Sequence, residues 1–315
     1  MKKRYQMLIP VVLGISAAAV FLQNPAVDEN PARNPLVLSL NQEKSLENDW
    51  LEGITAKQVY LQERSGAAVY QKESNRKVSI ASLTKIMTTL CLIEHQQNFS
   101  EVVEIPAGIF PFIEKEQLAT AGFLEGERVP FEELLYAIML PSGAEAALSG
   151  AIHLSGTEKR FVALMNDKAA ELGLTGTHFN NVTGVDEGNH YSTAADTASL
   201  LDYALDNPVF YEIFTTFEYQ TSGTALHPEG VYLSSTLLKS GEPLDWETGR
   251  IQGGKTGFTY DAGQCLASLA EIDGKEYLLV LIGASGSGDS EQRNIKESRL
   301  LYQRLDSLDL DSAQL

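Results

Sequence analysis

Residues 80–93 read Ile-Ala-Ser-Leu-Thr-Lys-Ile-Met-Thr-Thr-Leu-Cys-Leu-Ile, and the apolar positions Leu83, Ile86, Met87, Leu90 and Ile93 recur at helical spacing. That period predicts one apolar stripe on a helix of roughly four turns. It also sets the hydroxyl of Ser82 and the amine of Lys85, three residues apart in the first turn, on one face within hydrogen-bond reach. A serine hydroxyl is a poor nucleophile at neutral pH, and an amine beside it becomes a base only when burial or a neighbouring cation lowers its pKa. The helix N-terminus favours the negative charge that develops during attack. Ser74-Asn-Arg-Lys77 repeats the spacing in a polar segment with no apolar stripe to fix it, and is assigned no chemistry.

Working outward, Lys57 to Gln62 and Ala67 to Gln71 alternate around Arg64-Ser65-Gly66, the pattern of a hairpin. Downstream, Pro130 precedes Phe131, Leu134, Leu135, Ile138 and Met139, an amphipathic helix that Pro141 stops. Ser155-Gly-Thr-Glu158 has the form of a capping box ahead of a third helix carrying Phe161, Leu164 and Met165, with Gly173 near its end. In the tail, Leu266 to Glu271 and Tyr277 to Ile282 flank Asp273-Gly274, a strong hairpin signal, before a periodic segment from Ile295 to Leu305 that reads as a helix. Strands at both ends with helices between them predict an α+β domain: an antiparallel sheet built from both chain ends, with an inserted helical subdomain.

The bulk properties bound the function. The chain has 315 residues, 43% hydrophobic and 21% charged, which is globular composition. A formal net charge of -18 argues against a nucleic-acid partner, because such a partner rewards a basic stripe through counterion release. Met1-Lys-Lys-Arg4 runs into an apolar stretch from Met7 to Leu22, so residues 1–23 read as a signal peptide or an N-terminal membrane anchor. Either places the remainder outside the cytoplasmic membrane. Residues 24–50, with Pro25, Pro31 and Pro35, read as a linker, and the folded domain is expected over 51–310. Cys91 and Cys265 sit in apolar runs, which favours buried thiols over a disulfide and supports no zinc site. His95, His153, His178, His190 and His227 lack the spacing of a metal pair and are read as structural, so no metal or cofactor is expected.

A third chemical signal is Lys255-Thr-Gly257, just before an apolar strand. A cation on a strand edge can lower the pKa of Lys85 and attract an anionic substrate end, while Gly257 lets a ligand backbone approach closely. Ser82-Leu-Thr-Lys85, then Ser142-Gly-Ala after a helix, then Lys255-Thr-Gly257 stand in the order of the three active-site motifs of penicillin-binding proteins and serine β-lactamases. The pattern most resembles the low-molecular-mass D-alanyl-D-alanine carboxypeptidases. His178-Phe-Asn-Asn-Val-Thr-Gly184 with His190-Tyr-Ser-Thr193 is similar to a loop of that family. Gly254-Lys-Thr-Gly-Phe-Thr259 with Ala262-Gly-Gln-Cys-Leu266 is similar to its strand-turn-strand. The likeness spans about Ala56 to Leu305.

The resemblance implies a β-lactamase/transpeptidase-like fold and an acyl-enzyme mechanism on peptidoglycan stem peptides, with β-lactams as covalent inhibitors and no cofactor. By it, Ser82 attacks the carbonyl between the terminal D-alanines, Lys85 takes its proton, and Ser142 helps pass that proton to the leaving D-alanine. The backbone amides of Ser82 and Phe258 receive the oxyanion, and Lys255 and Thr256, beside Gly257, hold the terminal carboxylate. Two departures stand out. The family's second motif ends in Asn, where this chain has Ala144; the loss slows the enzyme unless a water or Glu145 turns into the cleft. Fewer than about 60 residues follow the third motif, too few for the additional C-terminal domain of many relatives, so any membrane attachment is expected at the N-terminus. The competing readings are a β-lactamase, disfavoured by the lack of a Glu-x-x-Leu-Asn pattern, and a silent peptidoglycan-binding module, which Ala144 keeps open.

Overall fold

The computed structural model describes residues 50–288 and 290–312. The expected export segment over 1–23 and all but the last residue of the expected linker lie outside the described residues. Residues from Trp50 onward form one compact unit.

Gln58–Glu63 (β1) and Ala68–Lys72 (β2) make the N-terminal hairpin, with Ser65 in its turn at a φ of 56°. A 3-10 turn at Ala81–Leu83 leads into Thr84–His95 (α1). The inserted part then runs Val102–Glu104 (β3), Phe110–Lys115 (α2), Arg128–Pro130 (β4), Phe131–Met139 (α3), Ala144–Ser155 (α4), Glu158–Glu171 (α5), Ala194–Leu205 (α6) and Pro208–Thr215 (α7), closing with the pair Glu218–Gln220 (β5) and Tyr232–Ser234 (β6). The chain returns to the sheet through Gly249–Thr259 (β7), Gly263–Ile272 (β8) and Lys275–Ala284 (β9), and Arg293–Ser312 (α8) covers it.

Among the described residues, five strands form one antiparallel sheet in the order β2-β1-β9-β8-β7. The two chain ends meet in its middle, where Tyr60 of β1 pairs with Val280 of β9. Leu278, Val280 and Ile282 of β9 face the helical part, whereas Tyr277, Leu279 and Leu281 pack with Ile295, Leu301 and Tyr302 of α8. A sheet covered on both faces explains why this strand is apolar throughout rather than alternating. Each of its fully buried aliphatic side chains stabilises the fold by roughly 1.5–3 kcal/mol. β7 is left at the edge of the sheet, and the 3-10 turn of Ala81–Leu83 packs against it.

Two local expectations need correction. Ser155 is not a helix cap but the last residue of α4; Gly156 follows at a φ of 78°, and Thr157 caps α5 by accepting from the Arg160 amide at 3.3 Å. Gly156 is the residue able to take the left-handed turn between two helices joined this tightly, so the cap moves one step past it. The helix carrying Ser82 is also shorter at its start, because Ala81 sits at a φ of 47° and only a 3-10 turn forms before Thr84. Cys91 and Cys265 are buried free thiols, and burial pushes both up to about 12. Ser74 bonds Gln71 at 2.9 Å and Lys77 lies 4.7 Å from the Tyr191 ring centre, so the second Ser-x-x-Lys is split between two unrelated contacts.

Candidate active site

The site is assembled around a strained turn. A left-handed Ala81 costs about 1–2 kcal/mol, so its surroundings must hold it. The Thr84 hydroxyl donates to the Ala81 carbonyl at 2.8 Å, and Thr84 Oγ1 lies 2.7 Å from His190 Nε2. The Asn180 amide donates to His190 Nδ1 at 3.1 Å, which leaves the proton on Nε2 and makes His190 the donor to Thr84. Burial depresses His190 to about 4, so the ring is neutral and fixed in one tautomer. Gly184, at a φ of 93°, closes the other side: a Cβ there would lie 1.9 Å from the Ala81 carbonyl oxygen. Asn181 shapes this loop by accepting from the amides of Gly184 at 2.7 Å and Val185 at 3.2 Å.

Ser82 is partly exposed, whereas Lys85 behind it is buried. Lys85 Nζ lies 3.1 Å from Ser82 Oγ and donates to the Thr183 carbonyl at 2.9 Å. Burial lowers the Lys85 ammonium to about 7, against an opposing pull from the charge of Glu145. A lysine that spends much of its time neutral at physiological pH, in hydrogen-bond contact with a hydroxyl, is a competent base.

Ser142 sits between α3 and α4 at a φ of 70°, buried, and its Oγ has no hydrogen-bond partner among the described residues. α4 packs on α1, which brings this end of the second motif to the helix carrying Lys85. Gly143 is obligatory by space, since a Cβ there would meet the Ala137 carbonyl oxygen at 2.8 Å. Ala144 is wholly buried and its amide donates to the Ala119 carbonyl at 2.8 Å. The next residue, Glu145, is also wholly buried; its Oε1 accepts from the amides of Ala121 at 2.6 Å, Gly122 at 2.9 Å and Phe123 at 3.3 Å.

Edge strand β7 supplies the third motif. A Cβ on Gly257 would stand 2.9 Å from the Ser82 amide nitrogen, so the strand and the Ser82 turn touch backbone to backbone and glycine is needed for that approach. Lys255 is wholly buried, its Nζ donating to the Thr256 carbonyl at 2.8 Å, while Thr256 is partly exposed and donates to Thr236 Oγ1 at 2.6 Å. Burial holds Lys255 well below the ordinary lysine range, and repulsion from Lys85 and Lys239 adds to it. That repulsion is reciprocal, so a proton on either buried amine opposes one on the other. The strand-edge lysine is therefore wholly buried, its amine turned back onto the Thr256 carbonyl of its own strand. Phe258 packs edge-on to Tyr260, 5.6 Å between ring centres, and Tyr260 stands almost fully exposed at the rim.

The profile of the D-alanyl-D-alanine carboxypeptidase family (peptidase S11) matches residues 44–286, a span that contains all three motifs. The chain belongs to the D-alanyl-D-alanine carboxypeptidase family. Within it, the D-alanyl-D-alanine carboxypeptidase DacF of Bacillus subtilis is 34% identical over 258 residues, 78% of this chain and 61% of that protein. The chain thus spans less than two thirds of that relative's length. A D-alanyl-D-alanine carboxypeptidase of Streptomyces sp. strain K15 is 29% identical over 228 residues, covering 70% of this chain and 78% of that one. The crystal structure of the Streptomyces K15 DD-transpeptidase superposes with a TM-score of 0.71 at 25% identity over 79% of this chain and 96% of that chain. The family member described here has the transpeptidase-like fold that its motifs implied.

Sequence reasoning had no access to several participants. The Thr183 carbonyl that receives Lys85 carries no side-chain signal, although Asn181 and Gly184 around it are turn-forming residues. Thr84 and His190 lie 106 positions apart and meet only in the fold. Among the described residues no cluster of His, Cys, Asp or Glu is arranged to hold a metal, and no helix is long and apolar enough to cross a membrane.

Proposed function

We propose that the chain is a serine D-alanyl-D-alanine carboxypeptidase that removes the terminal D-alanine from peptidoglycan stem pentapeptides outside the cytoplasmic membrane. The observation that carries this reading is the 3.1 Å contact between Ser82 Oγ and a buried Lys85 amine lowered to about 7. Ser82 attacks the carbonyl between the two D-alanines; its proton moves to Lys85, and Ser142 helps deliver that proton to the departing amine. The amides of Ser82 and Phe258 receive the oxyanion. Thr256 contacts the substrate carboxylate, and buried Lys255 attracts it from behind. Water then hydrolyses the acyl-enzyme. β-Lactams enter the same path and stop at the acyl stage.

On this reading residues 51–310 are the catalytic domain and 1–23 export or anchor it. Hydrolysis and transpeptidation share the acylation half and differ in the acceptor, and a solved relative is a DD-transpeptidase. The test is release of free D-alanine from a pentapeptide, with and without an added amine acceptor. Stoichiometric D-alanine with a tetrapeptide product supports the carboxypeptidase reading. A product joined to the acceptor as the main species makes it a transferase.

A further inference from the structure

Position 144 offers a methyl where the family's second motif offers an amide, yet the neighbouring Glu145 is unusual on its own account. Its carboxylate is fully buried in the first turn of α4, two residues after the Ser142–Gly143 step. One oxygen lies in a cradle of three successive amides, those of Ala121, Gly122 and Phe123. The other oxygen is buried and has no hydrogen-bond partner among the described residues, and the same holds for Ser142 Oγ. A buried carboxylate normally satisfies both oxygens, so one left open is an exception that calls for a role. Burial raises its pKa, and three N–H donors oppose that rise by favouring the ionised form and hold the carboxylate in place.

The groups around Lys85 define that role. Buried Lys255 of β7 is lowered by burial and repelled by Lys85 and Lys239, neutral His190 stands against Thr84, and Glu145 comes from α4. Burial lowers Lys85, and among the described residues the charge of Glu145, on the helix that packs against α1, opposes that lowering. Among the described residues Lys85 Nζ has two hydrogen-bond acceptors, Ser82 Oγ and the Thr183 carbonyl, for the three N–H of an ammonium. An ammonium that forms in this dry pocket beside a second buried lysine needs a fixed counter-charge.

We infer that Glu145 is a positioning residue that supplies by charge what position 144 no longer supplies by amide: a fixed buried carboxylate that stabilises the Lys85 ammonium formed during acylation and pins the wall at Ala121–Phe123. This rests on the reading of Ser82 as nucleophile and Lys85 as base. The Ser82 proton moves to Lys85 Nζ as Oγ bonds the substrate carbonyl carbon, and leaves Lys85 for the departing amine as the C–N bond breaks. Glu145 exchanges no proton. A neutral amide orients Lys85 equally well in both protonation states, whereas a carboxylate favours the charged one, so the two solutions differ in pH dependence.

The test is the rate of acylation of the full chain by a fluorescent penicillin from pH 5 to 9, for the parent, E145Q and E145D. Gln keeps an acceptor for the three amides and removes the charge. In E145Q the acidic limb is expected to move down by about one pH unit while the plateau rate falls about tenfold, so that the profiles approach or cross at low pH. E145D retracts the charge and shifts the limb less, in the same direction. A purely structural Glu145 would lower the whole profile without moving the limb; a limb at the parental pH in E145Q overturns the inference. Should E145Q fail to fold, E145D decides, and a limb coincident with the parent overturns it equally. Ser82→Ala separates the two levels: full labelling of that variant sinks the nucleophile reading, whereas its loss with an unmoved E145Q limb sinks only the role of Glu145.

Discussion

Replacing Gly184 by alanine tests whether the nucleophile turn is held from outside or holds itself. The added Cβ would stand 1.9 Å from the Ala81 carbonyl oxygen, 2.4 Å from its carbonyl carbon and 3.0 Å from the Ser82 nitrogen. Relief requires a shift of more than about 1 Å, and the displaced carbonyl is the one that accepts the 2.8 Å bond from Thr84. Alanine at a φ of 93° adds backbone strain of about 1–2 kcal/mol, overpacking about 1–3 and the lost hydrogen bond about 1. Together these come to about 3–6 kcal/mol, or roughly 6–24 °C in Tm for a domain of this size. Moving a nucleophile by about 1 Å costs about 100-fold in rate. Gly126→Ala is the control, because its φ is 75° but nothing lies within 4 Å of a Cβ there; it should lose about 1–2 kcal/mol and leave acylation unchanged. Calorimetry and stopped-flow acylation by penicillin read both. Gly184→Ala protein that melts within about 2 °C of the parent and acylates within about threefold of it would refute the reasoning.

Further expectations follow from the same geometry. Acylation should rise with pH through about 7, because Lys85 must be neutral to accept a proton and burial lowers it to that value; Lys85→Arg should abolish D-alanine release in a folded protein, and substantial turnover would contradict the base role. Ala144→Asn should slow acylation rather than speed it, since the added amide enters a wholly buried position and overpacking costs about 1–3 kcal/mol; a faster variant would mean that the missing amide is simply lost and not replaced. His190 has a folded pKa of about 4, below its unfolded 6.5, so its contribution is complete above pH 6.5 and is lost as pH falls toward 4. Urea unfolding at pH 6.5 and 4.5 should show about 2–3 kcal/mol more loss for the parent than for His190→Gln, and equal losses would remove His190 from the account.

Much of this was legible in the sequence because the decisive signals are local. The hairpins around Ser65 and Asp273-Gly274 announce themselves by turn chemistry and alternation, and Pro130 and Pro141 bracket α3. Ser82 and Lys85 meet because three residues separate them near a helix start, which needs no tertiary information. What stayed hidden depends on long-range closure. The Ala81 strain arises from Thr84, His190 and Gly184 together, and no window of sequence contains all of them. Ser155 looked like a cap because the pattern fits, but Gly156 imposed the left-handed turn and Thr157 took the cap. Lys255 was legible as a cation on a strand edge but not as a wholly buried one; the depth of its burial follows from β7 lying against the Ser82 turn. Glu145 stood out only as the acid beside the missing amide; the cradle that holds it stayed hidden, since its three amide partners belong to a loop more than 20 residues away.

The most direct test of the central claim is covalent. Incubation of the chain with penicillin followed by intact-mass and peptide mapping should find one acyl adduct, on the peptide carrying Ser82, formed at a rate that follows the neutral fraction of Lys85. The Ser82→Ala protein, shown to be folded by its unchanged melting, should carry none. An adduct on another residue, or one that persists in Ser82→Ala, would contradict the assignment of Ser82 as the nucleophile.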